Sequence, residues 1–167
     1  MDIKQVKQDI ESWIVNFVEV PHPVLGGFPP CPYARGARLK NSYDVYVGSD
    51  PYFDLKNRAR HGMGNREVII YAYDPHEWPH DLFAASLDHA NQDFLLAADL
   101  LSLEDHPNDQ EIVNGVCMNQ GTYALALVQS LSDLNNKARM IAKKGFYDTW
   151  PEDYLTALFQ HREDPRQ

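Results

Sequence analysis

A chain of 167 residues, 44% apolar and 23% charged, is long enough for one domain with a real core, which argues against disorder as its resting state. Its 24 acidic against 15 basic residues give a formal net charge of −9, which repels phosphate backbones and anionic membranes, so no nucleic acid and no membrane partner is expected. No apolar run approaches the roughly 20 residues of a membrane span, and Met1-Asp2-Ile3-Lys4 lacks the basic-then-apolar pattern of an export signal, so the expected location is cytoplasmic.

In chain order, Ile3, Val6, Ile10, Trp13, Ile14 and Phe17 recur at three- and four-residue spacing and predict a helix over 3–18. Residues 19–34 are rich in proline but carry Val24, Leu25 and Phe28, so they read as an ordered loop rather than a tether. Pro32 suits the first turn of a short helix ending near Leu39. Tyr43–Val47 alternates like a strand, and residues 48–66 read as an exposed loop with at most one helical turn. Glu67–Tyr73 (EVIIYAY) is the clearest strand signal in the chain.

Asp74-Pro75 stops that strand, and Pro79-His80-Asp81 opens a helix to about Leu100. A short strand over 101–104, a polar loop over 105–121 and an alternating strand over 122–128 follow. Ser132 is positioned to cap a helix that Gly145 ends, and Pro151 starts a last helix to about His161. The tail 162–167 is expected to fray. This order predicts a single α+β domain over 1–167, with a mainly antiparallel sheet of about four strands and helices on one face. A ferredoxin-like arrangement is one such layout.

Chemistry concentrates first at Pro30-Cys31-Pro32. A thiol reacts as thiolate, and its pKa falls near helix N-termini and cations. Arg35, Arg38 and Lys40 follow Cys31 closely in an otherwise acidic chain. The alternative is a small apolar side chain wedged between prolines. Cys31 and Cys117 form no CxxC pair and are read as separate thiols.

Asp105-His106-Pro107-Asn108-Asp109 could supply an acid and an imidazole for proton transfer, or simply form a turn. His22 lies nine residues before Cys31 and could act as its base. Asn119 sits in an amide-rich stretch suited to a polar ligand. His89 and Asp93, spaced for one helix face, suggest with His106 and Asp109 an alternative metal site, although no metal is assigned. No phosphate-binding glycine loop, GxSxG or HExxH motif is present, and the sequence names no cofactor.

The Trp13 helix followed by Cys31-Pro32-Tyr33-Ala34-Arg35 resembles an uncharacterised bacterial family with a Cys-Pro-Phe-Ala motif after its first helix. Ile69–Pro75, the helix over 80–99, His106-Pro107-Asn108-Asp109, and Asn119 with Tyr123-Ala124-Leu125 stand where that family has further motifs. Asp74-Pro75 replaces its His-Pro turn, and Asn108 is inserted before Asp109. The resemblance implies no reaction, but it couples Cys31 to His106. The leading expectation is a thiol-dependent enzyme for a small polar or anionic metabolite. In it Cys31 is the nucleophile, His106 and Asp105 the acid and base, and Arg35 and Arg38, with His22 and Asn119, bind the ligand. A non-enzymatic binding or adaptor protein with a structural Cys31 is the alternative.

Overall fold

The computed structural model describes residues 1–167. Helix α1 (Ile3–Trp13) starts at Asp2, whose carboxylate accepts from the Lys4 N–H at 3.2 Å. It continues through a π-helical turn, Ile14–Val18, that buries Ile14 and Phe17. Then come α2 (Ala34–Leu39), β1 (Tyr43–Val47), α3 (Pro51–His61), β2 (Val68–Tyr73) and α4 (His80–Ala90). A second π-helical turn, Asn91–Leu95, leads to β3 (Leu100–Asp105). The two-residue strands β4 (Ile112–Val113) and β5 (Val116–Cys117) form a small hairpin before β6 (Ala124–Ser130), α5 (Leu131–Ala142) and α6 (Glu152–Leu158). No helix is long and apolar enough to cross a membrane.

The four-stranded sheet runs β1-β2-β6-β3. Strand β1 lies parallel to β2, while β2–β6 and β6–β3 are antiparallel, so the sheet is mixed rather than purely antiparallel. The α+β class and the single domain are as expected, but the helices are not confined to one face. Ile69, Tyr71, Tyr73, Ala124, Ala126 and Val128 meet Leu55 of α3 and Phe83 and Leu87 of α4 on one side. Ile70, Ala72 and Leu125 meet Val6, Ile10 and Ile14 on the other. The alternation of β2 explains this. EVIIYAY is apolar at both parities, and a strand apolar on both faces needs cover on both.

Helix α3 replaces the loop expected over 48–66. Asp50 caps it by accepting from the Phe53 N–H at 3.2 Å, and Pro51 occupies its first position. Only Leu55 is driven fully inside the core, and burying one such side chain contributes about 1.5–3 kcal/mol. Gly48, just before it, is a place of close approach, because a Cβ there would stand 2.2 Å from the Tyr73 ring.

A third apolar cluster forms away from the sheet. Leu25, Val113, Ala138, Ile141, Phe146, Tyr147, Trp150, Leu155 and Phe159 bring α5, α6 and the β4–β5 hairpin together. It flanks the part of the sheet that α1 leaves uncovered, and the fit between the two is incomplete.

Candidate functional site

Strand β3 is a sheet edge, and an edge strand exposes unpaired backbone groups. Here a side chain satisfies them. The Ser102 N–H donates to Asn91 Oδ1 at 2.8 Å, and Asn91 Nδ2 donates to the Ser102 carbonyl at 3.0 Å. The π-helical turn that begins at Asn91 carries this residue to the edge. The Asn91 side chain thereby covers the edge at Ser102.

Beside the strand is a cavity of about 640 Å³, within the range of small-molecule sites. Its apolar walls include Trp13, Phe17, Ile70, Leu103, Leu127 and Leu158. It lies between the α1 side of the sheet and the α5–α6 cluster, and it wraps the β3 edge to reach Leu87 and Asp88 of α4. Strand alternation sets the lining. Leu101, Leu103 and Asp105 share one face, whereas Ser102 and Glu104 share the other.

Buried polar groups interrupt the apolar lining. Asp105 is 9% exposed, and its Oδ1 has no hydrogen-bond partner. Ser102 Oγ and Glu104 Oε2 are also buried without partners, as is the Trp13 indole N–H. Burial first, then the charges of Glu111, Glu104 and Asp109, push the Asp105 carboxyl up to about 7. Burial likewise pushes Glu111 up to about 7, assisted by Asp109 and Glu104 and opposed by the Tyr154 hydroxyl, which donates to Glu111 Oε2 at 3.5 Å. Burial also raises Glu104, against the pull of His80.

Cys31 lines the same cavity, so the structure brings Cys31 and Asp105 to one space. It does not give the thiol the environment expected of it. Helix α2 has six residues and starts at Ala34, past Cys31. Arg38 is committed to Glu19 by a two-pronged pair at 2.9 and 2.7 Å, Lys40 leans toward Glu67 at 3.7 Å, and Arg35 points to solvent. Burial pushes the Cys31 thiol up, and the Tyr33 and Ala34 backbone N–H groups with the Lys137 ammonium offset only part of that. The nearby cation is therefore Lys137, more than a hundred residues away in sequence.

The remaining expected site residues stand off the cavity wall. His106 is fully buried, donating from Nε2 to the Trp78 carbonyl at 2.9 Å and accepting at Nδ1 from the Asn108 N–H at 3.1 Å. Nδ1 is spent within the turn after β3, and Nε2 ties that turn to Trp78, ahead of α4. His22 packs its ring on Phe17 at 5.6 Å and anchors the 22–28 loop through its backbone. Asn119 is buried beside Cys117, whose thiol donates to the Asn119 carbonyl at 3.7 Å.

The metal-site expectation fares differently residue by residue. Asp93 accepts from the Tyr52 hydroxyl at 2.7 Å. Asp109 instead joins His80 and Glu104, with ligand atoms within 4.8 Å of one another, a trio that could hold a metal ion. In the structure His80 Nε2 lies 3.3 Å from Glu104 Oε1 and 3.4 Å from Asp109 Oδ2. Ser102, Glu111, Lys137, Tyr154 and Trp13 were not singled out as site residues from sequence, because nothing local marks them as neighbours. Set against known proteins, the chain matches no family model, no curated protein and no solved structure.

Proposed function

We propose that this chain is a small-molecule-binding protein that holds a largely apolar ligand in the cavity between the sheet and the α5–α6 cluster. The observation that carries this reading is a buried carboxyl oxygen without a partner, Asp105 Oδ1, in the lining of a largely apolar space. A buried polar atom without a partner costs about 1–3 kcal/mol. A ligand with a matching polar group offsets that cost at the moment of binding, while the Leu, Phe and Trp walls bury its apolar body. Cys31 then serves as part of the wall.

The test is a titration with the neutral dye Nile red, read by fluorescence, on the wild type and on Leu127→Trp. Leu127 lines the cavity from β6, so the indole occupies part of it. The expected result is saturable one-site binding that weakens at least tenfold in the variant, whose unfolding midpoint does not fall. Saturable binding that Leu127→Trp leaves unchanged contradicts the reading, as does the lack of any saturable binding.

A second reading draws on Cys31 and Asp105 lining one cavity: a thiol-dependent enzyme with Cys31 as nucleophile and Asp105 as acid. The raised thiol pKa and the engagement of Arg38 with Glu19 weigh against it. The pH dependence of Cys31 alkylation separates the two readings.

A further inference from the structure

We propose that the ligand of this cavity is an amphipathic organic cation, an aromatic or aliphatic body bearing a primary ammonium group that pairs with Asp105. This rests on the binding reading above and names its ligand class. Five carboxyl side chains line the cavity: Glu67, Asp88, Glu104, Asp105 and Glu111. Lys137 and His161 are the only basic side chains on the same wall, and both are taken. Lys137 sits on Asp133 at 2.7 Å and on Glu67 at 3.5 Å, and His161 sits on Asp88 at 3.0 Å. Glu104 has one oxygen on His80 and the other unpartnered. Asp105 has no cation at all, and Glu111 has the Tyr154 hydroxyl and Asp109 beside it but no cation.

Charge and hydrogen-bond capacity choose among ligand classes. An anion entering the cavity meets uncompensated carboxyls and no free donor of positive charge, so it is repelled. A neutral apolar molecule fills the walls but leaves Asp105 dry and unpaired, which adds cost rather than removing it. An ammonium brings opposite charge together with three donors, enough to serve Asp105 and a Glu111 oxygen on the same side of the sheet. The aromatic side chains of the cavity, Trp13, Phe17, Tyr33, Tyr43 and Tyr154, suit a cation and its apolar body alike.

The experiment displaces bound Nile red with three molecules of one shape: 1-naphthylmethylamine, 1-naphthalenemethanol and 1-naphthoic acid. At neutral pH the amine is expected to displace the dye at least tenfold more effectively than the alcohol, with the acid weakest. Asp105→Asn is expected to abolish the preference for amine over alcohol, and a variant that keeps the preference overturns the proposal. Glu111→Gln, with a partial loss of the same preference, stands in if Asp105→Asn does not fold. Equal displacement by amine and alcohol overturns the cation proposal and leaves the cavity reading intact. Preference for the acid overturns it too. If Nile red itself does not bind saturably, the cavity reading fails and this proposal with it.

Discussion

Asp105→Asn tests the electrostatics of the cavity through the fold itself, with no ligand needed. The Asp105 carboxyl is lifted from 3.8 to about 7, chiefly by burial. Each pKa unit is worth about 1.4 kcal/mol, so the ionised group costs the fold about 2–4 kcal/mol once the neighbouring acids have shared part of the charge. The direction follows from proton counting. Between about pH 4 and 7 the folded state holds a proton that the unfolded chain has released, so stability falls as pH rises through that window. The asparagine is isosteric and uncharged, and it removes this dependence. Urea unfolding of both proteins at about pH 4, 5, 6, 7 and 8 should therefore give nearly equal stabilities at about pH 4. At about pH 8 the variant should be more stable by about 2 kcal/mol or more. A variant no more stable than wild type at pH 8, or a gap that widens toward acid, refutes the claim that Asp105 is buried without a cation.

Three further outcomes follow from other parts of the structure. Iodoacetamide should alkylate the exposed Cys117 faster than Cys31 near pH 7.5, and Cys31 should respond only above its ordinary thiol range; Lys137→Met should slow it further, and a Cys31 that reacts first contradicts the raised pKa. Asn91→Ala removes both side-chain bonds to the β3 edge and should cost about 2–3 kcal/mol by denaturant unfolding, whereas a loss below about 0.5 kcal/mol would mean that the edge is satisfied some other way. Gly48→Ala places a methyl group against the Tyr73 ring and should destabilise by about 3 kcal/mol, measured the same way, with an unchanged midpoint counting against the tight packing there.

The fold was legible where hydrophobic period and burial agree. The Trp13 stripe gave α1, and EVIIYAY gave β2, because each buries most of its apolar side chains in place. Helix α3 escaped because it buries almost nothing. Asp54, Lys56, Asn57, Arg58 and Arg60 dominate it, and glycine-containing polar stretches flank it. Its one local signature was Asp50-Pro51, a cap followed by a first-turn proline, and that signal is short enough to be outweighed by composition. The second helical face of the sheet was in principle readable from β2, since a strand apolar at both parities cannot leave one face to solvent.

The site was less legible, for a geometric reason. Asp105 drew notice only as a neighbour of His106, yet strand alternation sends the two in different directions, and the histidine spends one nitrogen within the turn and the other on Trp78. The cations after Cys31 looked like its partners because they are close in sequence. In the fold Arg38 answers to Glu19, and the cation that reaches the thiol comes from α5. What makes the cavity a candidate site is the meeting of α1, β3, the β4–β5 region and α6, separated by up to about 150 residues, and no local pattern encodes that meeting.

The three tryptophan indole N–H groups offer the most direct reading of the central claim, that this cavity takes a ligand. Trp13 lines the cavity, its indole N–H buried and unpartnered, while Trp78 and Trp150 stand off its walls. In a ¹H–¹⁵N correlation spectrum titrated with 1-naphthylmethylamine, the Trp13 indole signal and the backbone signals of Leu101 to Asp105 should shift saturably together. The Trp78 and Trp150 indoles should hold nearly still. Shifts confined to other surfaces, or a Trp13 signal that never saturates, would contradict the account.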